Sequence, residues 1–279
     1  MLQSLGYFRS FAALAVALAW AYWPTLTFMY EKWVGDPQYS HGFLVPVFSA
    51  FLIYRNRDAL RAATVTPMPI VGGVVLGVAL LMRTLAGGLL FHQLDAISML
   101  IAAAGAVLVL GGRRWFALTG PAILFLIFMI PLPYELERNV GGPLKTAATW
   151  ASTFLLQTCG LPAIAEGNLI LIDEIRLGVV DACSGLKMLM TFAAFSFGAV
   201  LMAGRTTFEK LMVLLGIIPI SLLANVLRIV ATGIGLTMFH DKETTHFLHD
   251  FFGWLMMPVG LALLGLELWV LKRLVIRAD

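Results

Sequence analysis

The chain has 279 residues, 60% hydrophobic and 13% charged, with a net charge of +3 and a mean hydropathy of +0.89. A soluble domain carries about 45–50% apolar and about 25% charged residues, and a globule of this size has too little interior to hide the excess. A soluble enzyme, a disordered chain and a free nucleic-acid binder are therefore poor matches, and an all-α polytopic membrane protein in contact with the lipid bilayer is expected.

A helix needs about 20 apolar residues to cross a bilayer. In chain order the expected spans are 11–30, 42–54, 70–90, 95–110, 115–131, 183–203, 208–239 and 250–271, eight in all. The first follows a single Arg9 and shows no small-residue cleavage site before Pro24, so it reads as a retained span. The second is short and is expected to begin near Tyr39. The chain is expected to form a single integral membrane domain over 1–279, with no second soluble domain.

Charge sets the topology, because cytoplasmic loops are rich in Lys and Arg. Arg9, Arg55, Arg57, Arg61, Arg113, Arg114, Arg205, Lys210, Lys272, Arg273 and Arg277 flank alternate span ends, and placing those ends inside puts both termini in the cytoplasm. Arg83, Lys187 and Arg228 fall within spans. A ninth apolar stretch, 144–159, fails as a crossing, since it would move Cys183 inside and Arg205 outside. Its Lys145, Thr146, Thr149, Ser152, Thr153 and Gln157 suit an interfacial or cavity-lining helix. Beyond it, 168–173 and 174–180 read as two short strands joined at Asp173-Glu174. The region 132–182 is thus expected to be a small extracytoplasmic cap of an interfacial helix and a β-hairpin.

Ionisable residues inside a bilayer are costly and mark function by default. Arg228 interrupts the apolar run 211–234, about 30 Å above the start of its helix at Phe208. A snorkelling arginine would also fit there, but Asn225 one turn back favours a polar stripe facing a cavity. Cys183 follows Asp181, a plausible N-cap, so a thiolate there gains from the first helical turn and from Lys187 four residues on. Ser184 and Gly185 adjoin it. His249 opens the last span on the same outer side, followed by Asp250, and can serve as base and then acid. The spacing of His240, His246 and His249 matches no strong zinc signature, so no metal and no cofactor is expected. The charge-derived topology brings Cys183, Arg228 and His249 to one depth: a nucleophile, a cation and a base suited to acyl transfer.

Four segments in order, Tyr39-Ser40-His41-Gly42-Phe43-Leu44-Val45-Pro46, Ala182-Cys183-Ser184-Gly185-Leu186, Asn225-Val226-Leu227-Arg228-Ile229 and His249-Asp250-Phe251-Phe252-Gly253-Trp254, resemble the exosortase/archaeosortase family over nearly the whole chain. The resemblance implies a cysteine transpeptidase of the cell (inner or plasma) membrane, acting at its outer face. Its substrates would be exported proteins ending in a Pro-Glu-Pro-type signal, a transmembrane segment and a basic tail, and the acceptor is not named by the sequence. It also assigns the family's Cys, Arg and His to Cys183, Arg228 and His249. Asn225, Asp250, His41, Ser184 and Lys187 are supporting or substrate-binding candidates, with His41 the second choice for the base. The alternatives are a membrane cysteine protease with water as acceptor, a transporter or channel, and a non-enzymatic partner of envelope-polysaccharide or export machinery. A transporter fits less well, because the in-span charges gather toward the outer side apart from Glu267.

Overall fold

A computed structural model describes residues 13–179, 185–202, 206–238 and 242–274. It is predominantly helical and divides into two compact units, Met1–Pro133 and Tyr134–Asp279.

The first unit contains α1 (Ala13–Ala21), α2 (Trp23–Gly35), α3 (Leu44–Arg55), α4 (Arg57–Ala62), α5 (Pro69–Leu89), α6 (His92–Leu110) and α7 (Gly112–Phe125). Helices α5 and α6 form a hairpin, reversed by Leu90 in the left-handed region at φ 53°. Gly72, Ala79 and Ala86, seven residues apart, face α6, while Ile70, Leu80, Leu81, Leu85 and Leu89 point outward. A Cβ on Gly72 would stand 2.6 Å from Val109 Cγ2 and 2.8 Å from the Gly105 carbonyl oxygen, so the backbones can approach this closely only because the contact residues are small. Small residues inside and large apolar ones outside invert the pattern of a water-soluble helix and suit a lipid surroundings.

Polar groups tie α2 to this hairpin. Arg83 lies 3.7 Å from Asp95 and stacks over the Tyr22 ring at 4.1 Å. Asp95 also accepts a hydrogen bond from Thr25, and Ser98 Oγ donates to Tyr22 Oη at 3.0 Å. These contacts lie beside the 72° bend between α1 and α2.

The second unit contains α8 (Tyr134–Thr158), β1 (Ala163–Glu166), β2 (Leu169–Ile172), β3 (Ile175–Gly178), α9 (Gly185–Met202), α10 (Thr207–Met238) and α11 (Lys242–Leu274). The strands form an antiparallel meander in the order β1-β2-β3, with Ala163 opposite Ile172 and Leu169 opposite Gly178. Gly167 and Asp173, the first residues of the two tight turns, take positive φ of 59° and 51°, which Gly adopts freely and Asp tolerates. Ile170, Ile172 and Leu177 pack with Leu156 of α8 and with Val226 and Ile229 of α10 into one core. Thr206 and Glu209 cap α10 reciprocally: Thr206 N donates to Glu209 Oε2 at 2.9 Å and Glu209 N to Thr206 Oγ1 at 3.3 Å.

Two expectations need correction. The hairpin is a three-stranded sheet, because 163–166 adds a strand before the expected pair. The helix expected over 144–159 begins ten residues earlier and runs through Gly141, Gly142 and Pro143. Among the described residues, three helices (α5, α6 and α10) are long and apolar enough to cross a membrane, or up to five spans if two broken helix pairs each count as one. Helices α3, α7 and α9 overlap three of the other expected spans and have 12, 14 and 18 residues, short of the roughly 20 needed for a straight crossing.

Candidate functional site

Among the described residues of the second unit, one face of α10 is both buried and polar. Ser221, Asn225, Arg228 and Thr232 are all buried, Arg228 being 7% exposed. Spaced at i, i+4, i+7 and i+11, they fall within about 60° of the helix circumference. On one side of this stripe, Val226, Ile229 and Leu236 belong to the core shared with α8 and the sheet. On the other, Ala224 and Ile220 join the cluster of Met188, Phe192 and Met256 from α9 and α11. Helices α8, α9 and α10 also touch one another pairwise, so the stripe is turned toward the junction of these elements. The Arg228 side chain is buried rather than spread along the protein surface.

The facing surface of α8 is polar as well. Gly141, Ala148, Thr149, Ser152, Thr153 and Leu156 are buried, whereas Trp150 and Phe154 are exposed. Thr149 and Thr153 donate to the carbonyls of Lys145 and Thr149, at 2.9 and 2.8 Å, and so satisfy themselves within the helix. Gln157 Nε2 reaches the Ala163 carbonyl at 2.8 Å and anchors β1 to α8.

Register follows from close contacts. A Cβ on Gly216 of α10 would meet the Glu267 carboxylate of α11, and one on Gly260 of α11 would meet the Phe192 ring of α9. Together with the layer of Met188, Phe192, Ala224 and Met256, these contacts run α9 and α11 parallel to each other and antiparallel to α10. Gly185 precedes Met188 by three residues, Arg228 follows Ala224 by four, and His249 precedes Met256 by seven. At 1.5 Å per residue the three backbone positions lie about 4–10 Å from the layer, on the same side of it.

Cys183 and Ser184 lie outside the described residues, as does Asp181. The described chain ends on the sheet side at the buried Val179 and resumes at Gly185, with Leu186 buried near Gly141 of α8. Lys187, His249 and Asp250 are on described helices, but their side chains are not among the described ones. His41 belongs to the first unit, in the 3-10 segment Pro37–Phe43, with its Nε2 3.2 Å from the Phe128 carbonyl oxygen. Beside it Gly42 lies under the Trp33 indole, whose Nε1 donates to the Met129 carbonyl at 2.9 Å. Cys159 is a free, exposed thiol rather than a buried packing residue. Among the described residues, no three His, Cys, Asp or Glu side chains group as metal ligands.

Sequence reasoning paired Asn225 with Arg228 but missed Ser221 and Thr232, which extend the same face by one turn in each direction. It also passed over the Arg83–Asp95 pair.

The family model described as transmembrane exosortase matches residues 33–266, most of the chain. No curated protein and no solved structure matches it.

Proposed function

The chain belongs to the transmembrane exosortase family, and on that premise we propose that it is a membrane cysteine transpeptidase acting on exported proteins with a C-terminal sorting signal. The signal is a Pro-Glu-Pro-type segment followed by a transmembrane stretch and a basic tail. The protein sits in the cytoplasmic membrane as eight spans, with 132–182 as an extracytoplasmic cap and the reaction at the outer face. The observation that carries this reading is the buried Arg228 on a polar helix face, with the backbones at Gly185 and His249 on the same side of a shared packing layer.

Chemistry then follows from the residue types. His249 takes the proton of the Cys183 thiol, and the thiolate attacks the scissile carbonyl. Arg228 donates hydrogen bonds to the developing oxyanion, or holds the thiolate before attack, where scarce water strengthens either contact. As the C–N bond breaks, His249 returns its proton to the departing amine and a thioester remains on Cys183. His249 next deprotonates the acceptor's nucleophile, which attacks the thioester and frees the thiolate. Asn225 and Lys187 support this site, Asp250 orients His249 or caps its helix, and Ser184 contributes to the substrate groove.

The test is processing of a reporter ending in a Pro-Glu-Pro segment, a membrane span and a basic tail. Cys183→Ala should abolish processing at normal membrane levels, while Cys159→Ala retains most of it. Equal loss from both would point to a structural bridge, and unimpaired Cys183→Ala would end the enzymatic reading in favour of a non-enzymatic partner.

A further inference from the structure

Two hydroxyls in the second unit are buried without apparent use. Ser152 on α8 is 0% exposed and Thr232 on α10 is 1% exposed, and among the described residues neither Ser152 Oγ nor Thr232 Oγ1 has a hydrogen-bond partner. This is unusual for helical Ser and Thr, which ordinarily bond a carbonyl one turn back. Neighbours in the same seam do so: Thr149 and Thr153 on α8, and Ser221 on α10, whose Oγ donates to the Ile218 carbonyl at 2.9 Å. Burying a polar group without a partner costs stability, and an apolar group of the same shape would cost nothing. For stability alone, valine at 232 and alanine at 152 would therefore serve as well or better.

Thr232 is one turn beyond Arg228 on the same stripe. The α8 face bearing Ser152 packs into the core shared with α10 through Ala148 and Leu156, and Leu156 Cδ2 is 3.1 Å from the Cβ position of Gly233, the residue after Thr232. Both hydroxyls thus belong to the seam that contains Arg228.

A peptide bond can be attacked at this depth only if the chain around it is not helical, and an extended chain in a dry environment leaves its backbone N–H and C=O groups in need of partners. We propose that Ser152 and Thr232 are substrate-binding residues that pair with the backbone amides of the extended peptide beside the scissile bond, when that peptide enters the α8–α10 seam. A hydroxyl suits the task because it both donates and accepts and makes no demand on side-chain identity. The two residues grip the backbone, and Arg228 acts on the reacting carbonyl.

This inference rests on the transpeptidase reading, and the experiment separates the two. Thr232→Val, Ser152→Ala and Thr232→Ser are compared with Cys183→Ala for processing of the sorting-signal reporter and for thermal unfolding of the purified protein in detergent. The expected result is that Thr232→Val and Ser152→Ala unfold at the same or a higher temperature than the parent. Each should reduce processing about fivefold to tenfold, the scale of one lost hydrogen bond, mainly through a raised KM, and Thr232→Ser should restore most of it. Parental processing by both apolar variants, with Cys183→Ala inactive, would overturn the binding role and leave the enzymatic reading standing. A lowered unfolding temperature for Thr232→Val would also overturn it, by showing that the hydroxyl serves the fold. A reporter left uncut by the parent, or cut equally by Cys183→Ala, would sink both readings.

Discussion

The seam between α5 and α6 and the inner face of α10 are both buried, and they are built in opposite ways. Along α5 the contact residues are Gly72, Ala79 and Ala86, which carry no polar side-chain atom and let two backbones close on each other. Along α10 they are Ser221, Asn225, Arg228 and Thr232, each of which needs a partner once it leaves water. The first arrangement gains dispersion contact and seals the seam. The second forgoes that gain and keeps polar groups where lipid-facing chains avoid them. Stability therefore explains the first seam but not the second.

Substitutions at the two seams should fail in different ways. The largest effect is expected from His249→Ala, which in the proposed mechanism removes the proton carrier of both half-reactions and should bring reporter processing to background at normal membrane levels; His41→Ala should be milder. If His41→Ala is the more damaging change, His41 replaces His249 as the base. Arg228→Lys comes next. Lysine keeps the charge but not the directed fork of donors, and losing an oxyanion donor costs about 10²–10³ in rate. Processing should fall by that factor with insertion unchanged, whereas near-parental processing would reduce Arg228 to a placed charge.

The α5–α6 seam should show the reverse. Gly72→Val puts a branched side chain where even a Cβ meets Val109 Cγ2 at 2.6 Å, and overpacking of this kind costs about 1–3 kcal/mol. Unfolding in detergent should come earlier, with normal processing per folded molecule; a loss of processing without a loss of stability would break the contrast. The smallest effect is expected from Asp95→Asn, which weakens the partly exposed pair with Arg83 but keeps an acceptor for Thr25. Such pairs contribute about 0–1 kcal/mol, so a thermal shift at the edge of detection is expected. A large shift would show that the pair governs the bend between α1 and α2.

The long apolar helices were legible in the sequence because length and hydropathy alone decide them: α5, α6 and α10 lie where the runs 70–90, 95–110 and 208–239 put them. Strands β2 and β3 were legible as two short runs joined at Asp173-Glu174, and in the fold Ile170 and Ile172 lie on the buried face. Strand β1 was not, since Ala163-Ile164-Ala165-Glu166 has little strand character and is held by β2 and by Gln157. The start of α8 was hidden because Gly141-Gly142-Pro143 reads locally as a break, yet tertiary contact carries the helix through it, Gly141 lying against Leu186. At the site, Asn225 and Arg228 stood out as polar interruptions of an apolar run. Ser221 and Thr232 did not, because a hydroxyl in an apolar helix is usually satisfied by its own backbone; both are equally buried, and only bonding separates Thr232 from Ser221.

The central claim is that Cys183 carries the acyl group with Arg228 and His249 beside it, and a direct measurement is to trap that adduct. The protein, incubated with the sorting-signal reporter and quenched in acid, is digested and analysed by mass spectrometry with and without hydroxylamine. The account predicts a hydroxylamine-labile acyl group on the peptide containing Cys183, absent from Cys183→Ala and untouched by Cys159→Ala. An adduct on Cys159, or reporter cleavage with no thioester on Cys183, would contradict it.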